Sequence, residues 1–206
     1  MQPIFIHGLG QTSSSWKKTL AFMPDETRAL CPNLCEIIGS NDVTYTNLYH
    51  AFAEYCNEAP SPVNLCGLSL GRIIALNYTI DYPGRVNSLV LIGTQYKMPK
   101  LLLKIQNGIF RILPQAMFKG MGFQKRDIIS LTNSMTNIDF SEQLKKISCP
   151  TLIICGEKDS ANKKAAKSLY ENISGAKFTY IENAGHATNE DNPQKLAFEI
   201  ENFFAL

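Results

Sequence analysis

Short apolar runs alternate with longer stretches of helical periodicity along almost the whole of this sequence. Six runs have the length and composition of buried strands: Pro3–His7, Thr27–Cys31, Val63–Leu68, Val86–Ile92, Thr151–Cys155 and Lys177–Ile181. Strands that alternate with helices form a parallel sheet with helices on both faces. The pattern therefore predicts an α/β fold on a mostly parallel sheet of about six strands.

Helical segments lie between these runs, and the alternation of strands and helices is broken in only one place. The predicted helices are Ser15–Met23, Thr44–Glu58, Leu70–Tyr82, Lys163–Asn172 and Gln194–Phe204. Residues 95–140 contain no strand-like run, and prolines and glycines break their helical pattern. We expect residues 1–94 and 141–206 to form the core, and residues 95–140 to form a short helical cap inserted between two strands.

The composition is that of one globular domain. Of the 206 residues, 45% are hydrophobic and 18% are charged, which argues against disorder. The net charge of +2 is too balanced to indicate nucleic-acid binding. The six cysteines form no CxxC pair, and three histidines are too few for a zinc cluster, so we expect no metal and no cofactor. Without a signal-peptide pattern or a run of 18 apolar residues, we expect a cytoplasmic protein with reduced thiols.

The segment Gly67-Leu68-Ser69-Leu70-Gly71 matches the pattern G-x-S-x-G between a predicted strand and a predicted helix. Such a turn holds the serine backbone under strain, and glycines two residues away allow close backbone contacts. The turn lifts the hydroxyl clear of the sheet. We therefore predict that Ser69 is a nucleophile. The alternative is a non-catalytic, glycine-rich turn in which the serine caps the helix, because it would show the same sequence pattern.

A serine hydroxyl becomes a good nucleophile only when a base takes its proton, and that base is usually histidine. Of the three histidines, His186 lies in a loop after the last strand. His50 lies within a predicted helix, and His7 precedes Gly8, where we expect it to shape a tight loop. His186 is therefore the predicted general base.

The base needs a carboxylate that orients it. Asp159 follows the strand Thr151–Cys155 and is the first choice, while Glu157 and Asp191 are the alternatives. The chain order serine, aspartate, histidine is the order of α/β-hydrolases.

Four motifs in this order resemble the α/β-hydrolase superfamily, in particular its small bacterial carboxylesterase-like members. The motifs are His7-Gly8-Leu9-Gly10 with Ser15-Trp16, Gly67–Gly71, Gly156–Asp159 and Gly185-His186. The resemblance covers nearly the whole chain and implies the α/β-hydrolase fold. It also implies hydrolysis of a carboxylic ester or thioester through an acyl-serine, with Ser69, Asp159 and His186 as catalytic residues.

The same resemblance implies an oxyanion hole formed by the backbone N–H groups of Leu9 and Leu70, whose side chains would line the acyl pocket. Two such donors contribute several kcal/mol to catalysis, about 10²–10³-fold per donor.

Three features depart from the family pattern. The chain begins at what would be the third strand, so two leading strands are expected to be missing and a sheet edge is left as a candidate dimer surface. Arg72 stands where the family commonly has a small residue, and we expect it to point outward or to strain the turn. Pro32-Asn33-Leu34-Cys35 replaces a glycine-rich loop.

The predicted cap is basic and amphipathic. Between Gln95 and Arg126 there is no acidic residue, and the basic residues are Lys97, Lys100, Lys104, Arg111, Lys119, Lys125 and Arg126. One interpretation is a lid helix with one packed face and one solvated basic face. The other is that the apolar face shelters an acyl chain while the basic face attracts an anionic substrate or a membrane surface.

Three functions compete for these residues. The first is hydrolysis of a small-molecule ester, and the second is C–C cleavage or elimination on a keto acid with the same three residues. The third is non-catalytic ligand binding. A dehalogenase or epoxide hydrolase is disfavoured because those enzymes carry an aspartate where Ser69 stands.

Overall fold

A computed structural model describes residues 1–24 and 27–205. Within them, five strands form one parallel sheet in sequence order: β1 Pro3–Ile6, β2 Val63–Leu68, β3 Val86–Ile92, β4 Thr151–Gly156 and β5 Lys177–Ile181. Strands β1, β2 and β4 are buried along their whole length, because helices cover both faces of the sheet. The predicted α/β-hydrolase fold class is confirmed.

The predicted strand Thr27–Cys31 is wrong, and the sheet has five strands rather than about six. Only Leu30 pairs with Ile4, in a single parallel bridge. Arg28 has a positive φ of 42°, which breaks an extended run, and Pro32 has no N–H for a ladder. The bridge still occupies part of the outer edge of β1, because the N–H of Phe5 donates to Leu30 O over 2.8 Å.

Nine α-helices lie among the described residues: α1 Lys17–Leu20, α2 Leu34–Ile37, α3 Tyr45–Glu58, α4 Leu70–Asp81, α5 Lys100–Ile112, α6 Lys125–Ser134, α7 Lys163–Asn172, α8 Thr188–Asp191 and α9 Pro193–Phe204. Four predicted helices agree with α3, α4, α7 and α9 to within a residue at each end. The helix predicted at Ser15–Met23 is shorter in the structure, where α1 covers only Lys17–Leu20. The sequence pattern does not predict the short helices α2 and α8.

Capping residues fix where the core helices α3 and α9 begin. Thr44 precedes α3, and its hydroxyl accepts a hydrogen bond from the N–H of Asn47 over 3.2 Å. Asn192 precedes α9, and its side chain accepts from the N–H of Lys195 over 3.2 Å. Pro193 then occupies the first helical position, where its missing N–H has no intrahelical partner to lose.

Two apolar cores lie on opposite faces of the sheet because side chains alternate along each strand. In β1, Ile4 and Ile6 belong to the core that also includes α3 and α4. Phe5, between them, packs on the other face with Trp16 and with residues of α9. Fully buried strands therefore read as continuous apolar runs in the sequence.

The segment predicted as the cap contains α5 and α6, which pack against each other. Its ends are close together, because Lys97 and Asp139 form an isolated antiparallel bridge and a 2.8 Å ion pair. The segment therefore leaves the sheet after β3 and returns before β4 as one excursion. Among the described residues, none of the helices combines the length and the apolar character needed to cross a membrane.

Candidate active site

Ser69 occupies the tight turn between β2 and α4, and its backbone is strained, with φ 54° and ψ −110°. Its N–H donates to Ile92 O over 3.0 Å, which ties the turn to β3. A Cβ at Gly67 would lie 2.5 Å from the backbone of Gly71, and one at Gly71 would lie 2.1 Å from Ile6 O. Both positions therefore require glycine, and the turn holds Ser69 at the carboxyl edge of the sheet.

The structure brings together the three side chains that the sequence singles out. The Nε2 atom of His186 lies 2.9 Å from Ser69 Oγ. On the other side of the ring, Nδ1 lies 2.8 Å from Asp159 Oδ2. Asp159 is buried, whereas the His186 side chain is about half exposed. The imidazole thus connects an accessible hydroxyl to a carboxylate that water hardly reaches.

The two alternative carboxylates have other partners. Glu157 accepts a hydrogen bond from the N–H of Asn183 over 2.9 Å. Asp191 accepts one from the N–H of Gly185 over 2.7 Å. Both bonds shape the loop that carries His186, while Asp159 alone of the three contacts the imidazole ring.

Asn162, which the sequence analysis missed, holds Asp159 in place. Its Nδ2 group donates to both carboxylate oxygens of Asp159, each over 2.8 Å, and its Oδ1 accepts from Gln95 Nε2 over 3.1 Å. The same Nδ2 lies 3.2 Å from His186 Nδ1, but two donors face each other there if Nδ1–H points to Asp159. An asparagine three residues after the aspartate, at the start of α7, is the signal that could have found it.

These contacts decide the charge of Asp159. Burial opposes ionisation, but hydrogen bonds from His186 and Asn162 outweigh it and hold the pKa of Asp159 below its ordinary value. The carboxylate is therefore ionised at neutral pH. It can keep a proton on Nδ1 and leave Nε2 free to accept one from Ser69.

His7 has a structural role, as the sequence analysis expects. It is buried, its Nδ1 lies 2.9 Å from Gly8 O, and its Nε2 accepts from the N–H of Leu34 over 3.1 Å. Burial lowers the pKa of His7 and so favours the neutral ring, although the hydrogen bond to Gly8 acts in the opposite direction. His50 lies exposed on α3.

Of the two expectations for Arg72, the one in which it points outward is wrong. Arg72 is buried, and its Nε and Nη1 atoms donate to the carbonyls of Gly93 and Gln95. These carbonyls follow β3, where the sheet no longer supplies them with donors, and the guanidinium satisfies them. Burial lowers the pKa of Arg72 to about 9, opposed by the charge of Asp159, and the side chain stays a cation at neutral pH.

Gly93 is a second residue that the sequence analysis missed. It follows β3 with a φ of 65°, and a Cβ there would lie 2.8 Å from His186 Cε1. The imidazole therefore lies directly against the Gly93 backbone. A larger residue would push the ring away from Ser69.

A cavity of about 420 Å³ opens between this edge of the sheet and the cap. Its lining includes Ser69, His186, Leu9 and Leu70. The cap supplies mostly apolar side chains, among them Leu102, Leu103, Phe110, Leu113, Met117 and Phe118. A larger cavity of about 830 Å³ lies at the opposite edge of the sheet, around Pro3, Asn64 and Thr151, remote from Ser69.

Comparisons with known proteins agree with the fold. The sequence profile of the alpha/beta hydrolase family matches residues 4–199. Monoacylglycerol lipase ABHD6 of Mus musculus is 23% identical over 251 residues, which cover 98% of this chain and 75% of that protein. Pyrrolizixenacetamide deacetylase of Xenorhabdus hominickii is 26% identical over 238 residues, which cover 97% of this chain and 89% of that protein.

A solved structure shows the same fold. The thermophilic esterase from Thermogutta terrifontis, with malate bound, aligns with a TM-score of 0.84 at 19% identity, covering 100% of this chain and 90% of that one. The family profile spans nearly the whole described sheet and all three residues of the site. This chain therefore belongs to the alpha/beta hydrolase family.

Proposed function

We propose that this protein is a serine hydrolase that cleaves carboxylic esters or thioesters through an acyl-Ser69 intermediate. The observation that carries the proposal is the contact of His186 with both partners, 2.9 Å to Ser69 Oγ and 2.8 Å to Asp159 Oδ2. A hydroxyl, a base and a carboxylate in this geometry are the requirements for nucleophilic catalysis by serine.

In the first half of the reaction, Ser69 Oγ attacks the carbonyl carbon while His186 Nε2 takes the hydroxyl proton. Asp159 keeps the imidazole oriented and stabilises its positive charge. The C–O or C–S bond of the ester then breaks, and the proton on Nε2 passes to the leaving alcohol or thiol. The acyl group remains on Ser69.

In the second half, a water molecule takes the place of the leaving group. His186 removes a proton from this water, and the resulting hydroxide attacks the acyl carbon. The proton on Nε2 then returns to Ser69 Oγ as the acid leaves. Both halves pass through a tetrahedral oxyanion.

We assign the stabilisation of this oxyanion to the backbone N–H groups of Leu9 and Leu70. Leu70 is the first residue of α4, where unpaired N–H groups and the helix dipole favour negative charge. Leu9 follows β1 in the loop that His7 fixes, and both leucines line the cavity that contains Ser69.

The cavity favours a hydrophobic acyl group as the bound portion of the substrate. Its cap-side wall is largely aliphatic and aromatic, and burying a methylene group there contributes about 0.8 kcal/mol. A keto acid, the substrate class of the alternative C–C cleavage, would need a partner for its carboxylate. Arg72 is the cation in the wall, and its Nε and Nη1 atoms already donate to main-chain carbonyls.

The test is covalent labelling by a fluorophosphonate probe, which reacts with activated serines. We expect wild type and the exposed-serine control Ser174→Ala to be labelled, and Ser69→Ala to remain unlabelled while folded. Folded wild type that resists the probe would favour the non-catalytic alternative. A series of p-nitrophenyl esters with increasing acyl length then tests for a hydrophobic acyl site.

A further inference from the structure

Helix α5 of the cap presents a row of large apolar side chains to solvent. The exposed fractions are 73% for Leu101, 52% for Ile105, 51% for Ile109 and 85% for Ile112. Their spacing of three or four residues places them on one face of the helix. Leu103 is buried on a different face, so this apolar stripe is not the surface by which α5 packs on the protein.

A basic stripe runs beside the apolar stripe. It consists of Lys100, Lys104 and Arg111, which fall within about 40° of one another around a regular helix. None of the three forms an ion pair with a carboxylate in the described part of the chain. The nearest acidic residue after them in sequence is Asp127, which pairs with Arg126.

The apolar stripe borders the entrance to the candidate active site. Leu102 and Phe110, on the neighbouring part of the same helix, line the cavity that contains Ser69. Leu102 is itself 53% exposed, so apolar surface continues from the stripe into the cavity. Whatever covers the stripe therefore lies at the entrance.

We propose that α5 docks on the surface of an anionic lipid bilayer. The apolar stripe enters the acyl-chain region, and the basic stripe lies among the lipid phosphates. A helix with adjoining apolar and basic faces has the chemistry that this boundary requires. This binding goes beyond ester hydrolysis because it needs no turnover.

A second copy of the chain fits the surface less well. A symmetric dimer through the apolar stripe, with the two α5 helices antiparallel, would bring two sets of Lys100, Lys104 and Arg111 together. Like charges without acidic partners repel each other across an interface. An anionic bilayer, in contrast, satisfies both stripes at once.

The test measures flotation of the full chain with vesicles of phosphatidylcholine, with or without about 30% phosphatidylglycerol, at low salt. We expect wild type and Ser69→Ala to bind the anionic vesicles at least about tenfold more strongly than the neutral ones. The double variant Ile105→Gln/Ile112→Gln should lose at least about tenfold in binding. Neither residue lines the cavity, so its hydrolysis of a soluble ester should stay at the wild-type level.

Charge is tested by a matched pair of double variants. Lys100→Gln/Lys104→Gln should weaken binding about tenfold, and the difference should fade in about 0.5 M salt. Lys164→Gln/Lys167→Gln removes the same charge from exposed positions on α7 and should bind like wild type. Wild type that does not bind anionic vesicles overturns the proposal. Vesicle binding by Ile105→Gln/Ile112→Gln equal to that of wild type also overturns it. The same holds if wild type binds no vesicles but forms a dimer in sedimentation velocity, and this variant is a monomer.

Discussion

At the scale of single residues, the site depends on how His186 is held. Asp159 contacts one nitrogen of the ring, Ser69 contacts the other, and Gly93 lies against its Cε1 edge. Asn162 donates to both oxygens of the Asp159 carboxylate. The orientation of the ring therefore depends on several contacts together rather than on one hydrogen bond.

The role of Asp159 can be separated from that of its sequence alternatives. Asp159→Asn should lower kcat about 10²–10⁴-fold, because an amide cannot stabilise the imidazolium. Asp191→Asn should stay within about tenfold of wild type, since an amide oxygen can still accept from Gly185 N–H. Steady-state kinetics on a p-nitrophenyl ester measures both, and equal losses in the two variants would contradict the assignment.

The same substitution carries a pH signature in stability. The pKa of Asp159 is lower in the folded protein than its ordinary value of 3.8. Its stabilising contribution is therefore complete above that ordinary value and is lost as the pH falls through the lowered folded pKa. Urea denaturation should find wild type more stable than Asp159→Asn at pH near neutrality, with the gap shrinking in acid. A gap independent of pH would contradict the low pKa.

At the scale of elements, close backbone contacts hold the strand-to-helix turns. The first turn of α4 approaches the end of β1 so closely that Gly71 has no space for a side chain. Similarly, a Cβ on Gly156, at the end of β4, would lie 2.0 Å from Gly185 O in the histidine loop. The strands thus bring the loops of Ser69, Asp159 and His186 to one edge of the sheet, where the backbones of neighbouring segments leave no space for a side chain at Gly71 or Gly156.

Two glycine substitutions should have opposite effects on stability. Gly71→Ala places a Cβ 2.1 Å from Ile6 O and should destabilise the fold by about 3 kcal/mol or more. Gly108→Ala, within α5, meets nothing within 4 Å and should stabilise it by about 0.5–1 kcal/mol. Chemical denaturation of both variants checks the pair. Tolerance of alanine at residue 71 would mean that the turn has another geometry.

At the scale of the whole molecule, a cavity lies between the cap and the sheet edge, and Ser69 is among the residues that line it. Adjacent residues of α5 differ in their relation to it. Leu102 lines the cavity, whereas Leu101 belongs to the apolar stripe outside it. One part of α5 therefore faces the cavity, and another part faces the surroundings.

This difference predicts a change in acyl-chain selectivity. Leu102→Trp should narrow the entrance and lower kcat/KM for p-nitrophenyl octanoate, relative to acetate, by about tenfold. Leu101→Trp adds the same bulk on the outer face and should leave that ratio unchanged. An unchanged ratio in Leu102→Trp would place the acyl group elsewhere.

Much of this arrangement could be predicted from sequence because it is recorded locally. Ser69 and His186 each follow a recognisable strand, and glycines report the tight turn around Ser69. Gly93 could not be found in this way, because its contact with His186 arises only when β3, β4 and β5 lie side by side. Asn162 left a local signal, its position three residues after Asp159, from which its role could have been predicted. The strand expected at Thr27–Cys31 does not form, because its residue types suit a strand but the positive φ of Arg28 does not. The buried position of Arg72 could not be predicted, because the carbonyls that accept its hydrogen bonds lie in the loop after β3.

The central claim is that His186 activates Ser69, and the rate of covalent capture tests it most directly. The measurement is the second-order rate constant of fluorophosphonate labelling, with the adduct located by peptide mass spectrometry. We predict an adduct on Ser69 in wild type and a rate lower by about 10²-fold or more in folded His186→Ala. An adduct on another residue, or an undiminished rate without His186, would contradict the account.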